Sequence, residues 1–375
     1  MPRKKVEKDS GLVIKTSKLQ EMVARAVKGA GNNKVIPITQ MIAIRMQDGV
    51  FTLITTDATN TLYIRDREIA GEDFYVVVPV EQFSKLVARM TCDTITLRIE
   101  GVSLEITGNG KYLVPIQYDE AGMNSVIVQY PDPLADIDDP VDTVDIQAST
   151  VNKILTAIKP ALAVTLEDPC YTGYYVGDQV VGTNRELINM LEVSVFTEPR
   201  LISAPVMDLL SVMTSEVINV DIINDGVLVF STPDCVIYGR DLEGIEDFAI
   251  EPILDYIGMD FESVCKVSKN ALLQLLDRLA LFVTDYDKGG IYLTFTKEGL
   301  QVSSKSSNGV ELIPYLESKD FEDFTCCMDV SLLIKQIKAQ SSDSVEIWYG
   351  LDNAIKMVDD NVIQVLAVLE DDRVN

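Results

Sequence analysis

The 375-residue chain contains no histidine, and that absence removes the commonest general base together with every Ser-His or Cys-His nucleophile pair. Its six cysteines (Cys92, Cys170, Cys235, Cys265, Cys326 and Cys327) form no CxxC pair. With no histidine to complete a mixed zinc site, they read as reduced core thiols. Asp136, Asp138 and Asp139 offer oxygen ligands but lack the glycine and distal glutamate of an EF-hand loop, so they read as a solvated linker. The run TGNGKY, Thr107 to Tyr112, lacks the GxxxxGK[ST] spacing that wraps a phosphate, and its Asn109-Gly110 reads as a hairpin turn. Asp359-Asp360 and Asp371-Asp372 read as turn and tail charges. No nucleophile, base and oxyanion donors converge, so neither catalysis nor a cofactor is expected, and the chemistry to look for is that of binding.

The charges narrow what a partner must be. A formal net charge of -26, evenly spread, would repel nucleic acid. It is not evenly spread. Six amphipathic helices are expected, carrying Lys18, Arg25, Lys28, Lys85, Arg89, Lys153, Lys159, Lys269, Arg278, Lys335 and Lys338 against only Glu21, Glu81, Asp208, Asp277 and Asp329. They therefore sum to +6 and leave -32 for the rest of the chain. In the first helix Lys18, Glu21, Arg25 and Lys28 share a stripe opposite Leu19, Met22, Val23, Ala26 and Val27, so its basic side points away from the core. One such stripe is an ordinary solvated face. A basic excess on five of six helices in an acidic chain points instead to a surface facing a polyanion, where lysine and arginine contacts to phosphate are salt-sensitive and indifferent to sequence.

The elements that carry these residues repeat. A short strand, a serine and an amphipathic helix occur three times, as VIKTSKLQEMVARAV, DIQASTVNKILTAI and VCKVSKNALLQLLDRL. Ser17, Ser149 and Ser268 are expected N-caps, and Gln20 would complete a capping box with Ser17. A second unit recurs as VPVEQFSKLVARM, APVMDLLSVM and MDVSLLIKQIKA, with one apolar face each: Val80, Phe83, Val87; Val206, Leu209, Met213; Val330, Leu333, Ile337. Alternating strands follow each copy (TITLRIEGVSLEI, VINVDIINDGVLVF, SVEIWYGLDNAIKMV), turning at Glu100-Gly101, Asp225-Gly226 and Gly350 to Asn353. The spacing predicts an α+β chain of three tandem domains, 11–130, 143–250 and 263–370, each of two helix-plus-sheet half-repeats. Tails at 1–10 and 371–375 and linkers at 131–142 and 251–262 complete the scheme, the linkers suggested by PDPLADIDDPVD and IEPILDYIGMD. One helix over four or so strands cannot cover its apolar face alone, so sheets pack on sheets with the helices on one side. No apolar run is long enough for a membrane helix or stands behind the basic start MPRKKVEKDS to make a signal peptide, so a soluble cytoplasmic protein is expected.

Taken in order, three domains of this size, GNNKVIPI after the first helix, TTDATN (Thr55 to Asn60), GTNRELI (Gly182 to Ile188), LEGIEDF (Leu242 to Phe248) and a strand-forming C-terminus resemble the beta subunit of bacterial DNA polymerase III over residues 11 to 370. The resemblance implies a non-enzymatic DNA sliding clamp in which two chains close head to tail into a ring of six domains. Helices then line the hole around duplex DNA and sheets form the outside. The basic helix residues become the lining, joined by Lys34 on a DNA-contacting loop, and charge reversal at Arg25, Lys28, Lys85 and Lys153 should weaken loading and processivity.

The resemblance also implies that Tyr112 and Val114 meet Leu281 and Phe282 of the other chain at ring closure, although these four have an equal reading as core residues. It further implies an apolar pocket between domains 2 and 3 that captures a peptide from polymerases and the clamp loader. Its matching positions are Tyr171, Thr172, Thr183, Arg185, Leu187, Ile250, Val365, Leu366 and Val368. Two departures stand out: Asn184-Arg185-Glu186-Leu187 replaces glycine-histidine-arginine-leucine, and Leu366-Ala367-Val368 replaces Met-Pro-Met. The acidic tail from Glu370 could limit access. Rival readings are a trimeric clamp, which uses two domains per chain, a clamp-fold scaffold in transcription or repair, an enzyme of unfamiliar site, and an acidic DNA mimic. The last predicts acids where the helices carry bases.

Overall fold

The computed structural model describes residues 11–119, 126–284, 289–306, 308–320 and 322–370, with the backbone alone at 225. The basic Arg3 to Lys5 and the pair Asp371-Asp372 lie outside the described residues. Seven α-helices are present among them: α1 (Thr16–Ala26), α2 (Val80–Ala88), α3 (Ala148–Ala157), α4 (Ala204–Leu210), α5 (Ile250–Ile257), α6 (Lys269–Leu279) and α7 (Val330–Ala339). Six are the expected ones. The other, α5, lies where a linker was expected. Ile250, Ile253, Leu254 and Ile257 fall on one helical face, Ile253 and Ile257 are buried, and Pro252 sits in the first turn, where its missing N–H costs nothing.

The expected caps hold at one of three positions. The Ser268 hydroxyl accepts from the Ala271 N–H and caps α6. Helix α1 instead starts after Lys15 with no side-chain cap, leaving Ser17 inside it, and Ser149 lies inside α3. Gln20 makes no capping box, because its amide donates to the Val87 and Met90 carbonyls at 3.0 and 2.9 Å. The strand registers give the reason: Lys15 pairs with Thr94, Gln147 with Val217 and Ser268 with Ser344, so Ser268 aligns with Lys15 and Gln147 and not with the other two serines.

The chain folds as two compact units, residues up to 149 with 205–241, and 150–204 with 242 onward. The first unit holds an eight-stranded antiparallel sheet, in the order Asp142–Gln147, Val217–Ile223, Val227–Thr232, Cys235–Arg240, Thr61–Asp66, Val50–Thr56, Met41–Gln47, Phe74–Pro79. It also holds a four-stranded sheet, Leu12–Lys15, Thr94–Glu100, Ser103–Thr107, Lys111–Pro115. The second unit repeats the plan with nine strands: Arg200–Ser203, Gly173–Val176, Val180–Thr183, Leu187–Leu191, Val362–Ala367, Ala354–Asp359, Ser344–Leu351, Ser263–Ser268, Glu317–Lys319. Its four-stranded partner runs Val310–Ile313, Gly299–Ser304, Gly290–Thr296, Phe324–Asp329. The middle third of the chain thus contributes strands to both long sheets.

Packing follows the amphipathic pattern. In the second unit Leu272, Leu275, Leu276 and Leu279 of α6 and Leu333 and Ile337 of α7 meet Leu293, Phe295, Ile347 and Tyr349 of both sheets. Phe295 and Tyr349 stack at 3.8 Å between centroids. Each such side chain fully withdrawn from water contributes about 1.5–3 kcal/mol. Leu19, Met22, Val23 and Ala26 form the buried face of α1, as the stripe required. The TGNGKY run is a hairpin loop between paired strands, and the turn glycines Gly101 and Gly226 adopt φ of +59° and +69°, where a side chain would be strained. Five cysteines are buried, and Cys92 is half-buried.

Candidate functional site

An apolar site lies in the second unit, where strand Leu187–Leu191 pairs with Val362–Ala367 in the register Ile188 to Val365. Its shape begins with a tight loop. The Thr183 hydroxyl donates to the Leu187 carbonyl at 2.7 Å and accepts the Arg185 N–H at 3.0 Å, while the Asn184 side-chain oxygen accepts the Glu186 and Leu187 N–H groups. This geometry holds Arg185 at φ 76°, a left-handed conformation that costs a non-glycine residue about 1 kcal/mol or more. Its guanidinium pairs with Asp168 at 2.7 Å and lies 5.6 Å from the Tyr171 ring centroid, and Tyr171 packs edge-on to Phe248. Helix α5 supplies the facing wall through Pro252, Ile253 and Tyr256, with Ile188, Val365 and Ala367 beneath. The cavity measures about 290 Å³.

A second cavity of about 280 Å³ shares Glu186 and Ala367 with the first and continues past Leu187, Met328, Leu332, Leu366, Val368 and Leu369. Backbone bonds from Ala367 to Glu186, Val368 to Asn353 and Leu369 to Cys327 fix the closing strand along it. Together the cavities form an apolar groove with two depressions. Burial raises the Tyr256 hydroxyl pKa above its ordinary value, so it stays a protonated donor near neutrality.

Tyr171, Thr183, Arg185 and Val365 line the first cavity and Leu187, Leu366 and Val368 the second. Thr172 and Ile250 line neither. The Thr172 hydroxyl donates to the Pro169 carbonyl, and Ile250 packs into the apolar cluster with Phe248. Sequence reasoning missed Glu186, Ile188, Pro252, Ile253, Tyr256 and Ala367 in the first cavity. The signal for three of these was the helical spacing inside IEPILDYI, masked by its proline and acids.

The helix cations divide into two groups. Arg25 is largely buried: its side chain is 13% exposed, pairs with Asp234 at 2.6 Å and donates from Nε to the Val212 carbonyl at 3.0 Å. Lys18 pairs with Asp66 at 2.9 Å, Lys153 with Asp360 at 3.8 Å, Lys85 with Glu81, and Arg278 with both oxygens of Glu311. The hydrogen bond to Asp66 raises the Lys18 pKa, against an opposing effect of burial. Lys269 donates to the Gln340 carbonyl, and Lys159 has an interaction of its own. Lys28, Lys34, Arg89, Lys335 and Lys338 are exposed and form no ion pair among the described residues.

The edge strands carry apolar residues outward. On Lys111–Pro115, Tyr112 and Leu113 are 40% and 53% exposed, whereas Val114 is buried at 1% against Leu104, its side chain in the core and out of a partner's reach. On Val310–Ile313, Val310 and Leu312 are about half exposed. Leu281 and Phe282, just after α6, are 82% and 45% exposed.

The same fold occurs in the DNA polymerase sliding clamp of Bacillus subtilis, with a TM-score of 0.81 at 14% identity, covering 97% of this chain and 100% of that one. The DNA polymerase III beta subunit of Thermotoga maritima gives 0.80 at 16% identity over 96% of this chain and 99% of its own. The Pseudomonas aeruginosa sliding clamp gives 0.81 at 14% over 96% and 99%. No family model matches the sequence, and no curated protein does. The chain has the sliding-clamp fold, mixed helix and sheet, over nearly its whole length. No helix of the described residues is long and apolar enough to cross a membrane.

Proposed function

We propose that this chain is a DNA sliding clamp, a non-enzymatic, cytoplasmic processivity factor of three tandem domains. Two copies close into a ring around duplex DNA and tether a polymerase and a clamp loader through the apolar groove. The observation that carries the reading is the likeness to clamps of three bacteria over 96–97% of the chain. The groove supports it independently, because two adjoining apolar depressions beside a tight polar loop suit the side chains of a short extended peptide.

Phosphate contact falls first to Lys28, Lys34, Arg89, Lys335 and Lys338, then to Lys85 and Lys153, whose ion pairs are exposed and exchange readily for phosphates; Lys18, on the buried Asp66, and Arg278, held by both oxygens of Glu311, follow. Lys159 and Lys269 remain candidates, and Arg25 belongs to the core. Ring closure falls to Tyr112, Leu281 and Phe282, joined by Leu113 and Leu312 on the two edge strands. Light scattering should give the mass of two chains. After loading, the protein should stay on circular DNA and leave linear DNA by its ends. A stable monomer, together with equal loss from both DNAs, would overturn the proposal.

A further inference from the structure

Resting on the groove reading above, we infer that the peptide this groove takes is basic on either side of its apolar anchors. The depressions are apolar inside and acidic at the mouth. Glu186 lines both cavities and is exposed where they join. Asp329 and Glu370 line the second, and Glu251 and Asp255 stand exposed on α5 beside the wall residues Pro252 and Tyr256.

The cations at the mouth do not balance these carboxylates. Arg185 is matched by Asp168, and Lys305, which lines the second cavity, is one cation against the five carboxylates just named. Asp329 accepts the Ser331 and Leu332 N–H groups at the start of α7, which fixes its orientation. A peptide entering here places its anchors in apolar cavities and its flanks in a negative field. Lysine or arginine there gains attraction, and aspartate or glutamate meets repulsion.

The test uses fluorescence anisotropy on the full chain with two labelled synthetic peptides that share leucine and phenylalanine anchors, one flanked by lysines and one by glutamates. At low salt the lysine peptide should bind about tenfold tighter, as expected from several exposed charge pairs, and the gap should close at high salt. The double variant E186Q/E370Q should shrink the gap severalfold while leaving glutamate-peptide binding no weaker. Equal affinity for both peptides would overturn the charge inference and leave the groove reading standing. Binding of neither would overturn both. A third peptide, with lysine flanks and alanine in place of the anchors, should fail to bind; if it bound equally well, the attraction would belong to the acidic surface at large, and the inference would fall.

Discussion

Substituting Arg25 by alanine separates a structural cation from a DNA-facing one. The side chain is 13% exposed and makes two strong contacts, to Asp234 at 2.6 Å and to the Val212 carbonyl at 3.0 Å. Removing it leaves a half-buried carboxylate and a carbonyl without a charged donor, and losses of this kind cost about 2–4 kcal/mol. In a unit of this size that corresponds to a fall of about 5–10 °C in melting temperature by calorimetry. The penalty should depend on pH with a defined sign. Burial pushes the Asp234 carboxyl up, but its bonds from Arg25 and Thr232 outweigh this and hold the pKa below the ordinary value. A depressed carboxylate stabilises the fold above its unfolded pKa near 4 and loses that contribution as pH falls through the folded value, so the gap between wild type and R25A should be full at pH 7 and narrow below about pH 4. K28A, which removes an exposed cation without an ion pair, serves as the control and should shift the melt by no more than about 2 °C. If R25A melted with the wild type and weakened DNA binding more than K28A, the assignment of Arg25 to the core would be refuted.

Neutralising Lys28, Lys34, Arg89, Lys335 and Lys338 to glutamine should flatten the salt dependence of DNA binding by up to about 0.9 in log-log slope for each phosphate no longer neutralised; an unchanged slope would remove them from the DNA face. Y256A should weaken capture of an apolar-anchored peptide about tenfold, measured by anisotropy, because it removes a wall of the first cavity. L113K combined with L312K should shift the light-scattering mass from two chains to one. Gln336 is fully buried and accepts from the Asn189 and Gln364 side-chain amides at 2.7 and 2.8 Å, so Q336L should cost about 2–4 kcal/mol in thermal unfolding without altering peptide contacts.

The repeats were legible because helix faces such as Val80, Phe83 and Val87 must be apolar at every third or fourth residue, and all three are buried. The Asn109-Gly110 turn was legible for a similarly local reason. What escaped was decided by partners distant in sequence. Nothing near Arg25 announces Asp234 or the Val212 carbonyl, so an interior ion pair looks like one more basic helix residue. Val114 and Leu113 are adjacent, and only the pleat determines which one the core takes. The serine alignment failed because helix starts follow strand register, which the sequence expresses only through pairing. Helix α5 was overlooked because proline and acids were allowed to outweigh the apolar spacing from Ile250 to Ile257.

The ion pairs within the chain bear on how an acidic protein could hold DNA at all. Lys18, Lys85, Lys153 and Arg278 are each already matched to a carboxylate, so phosphate contact there exchanges one ion pair for another and releases little free energy. With only Lys28, Lys34, Arg89, Lys335 and Lys338 of the candidate cations exposed and outside such pairs among the described residues, and with -26 on the chain as a whole, affinity for duplex DNA in an open form should be weak at physiological salt. For a protein that grips DNA by contact this would be a defect. For one that encloses DNA it is consistent with function, since strong phosphate contacts would resist sliding, whereas retention needs only that the ring stay shut. On the proposed reading the demand for tight association moves from the basic helices to the edge strands. That is where Tyr112, Leu113, Val310 and Leu312 stand exposed, an arrangement that invites aggregation in a monomer and that pairing between two copies removes.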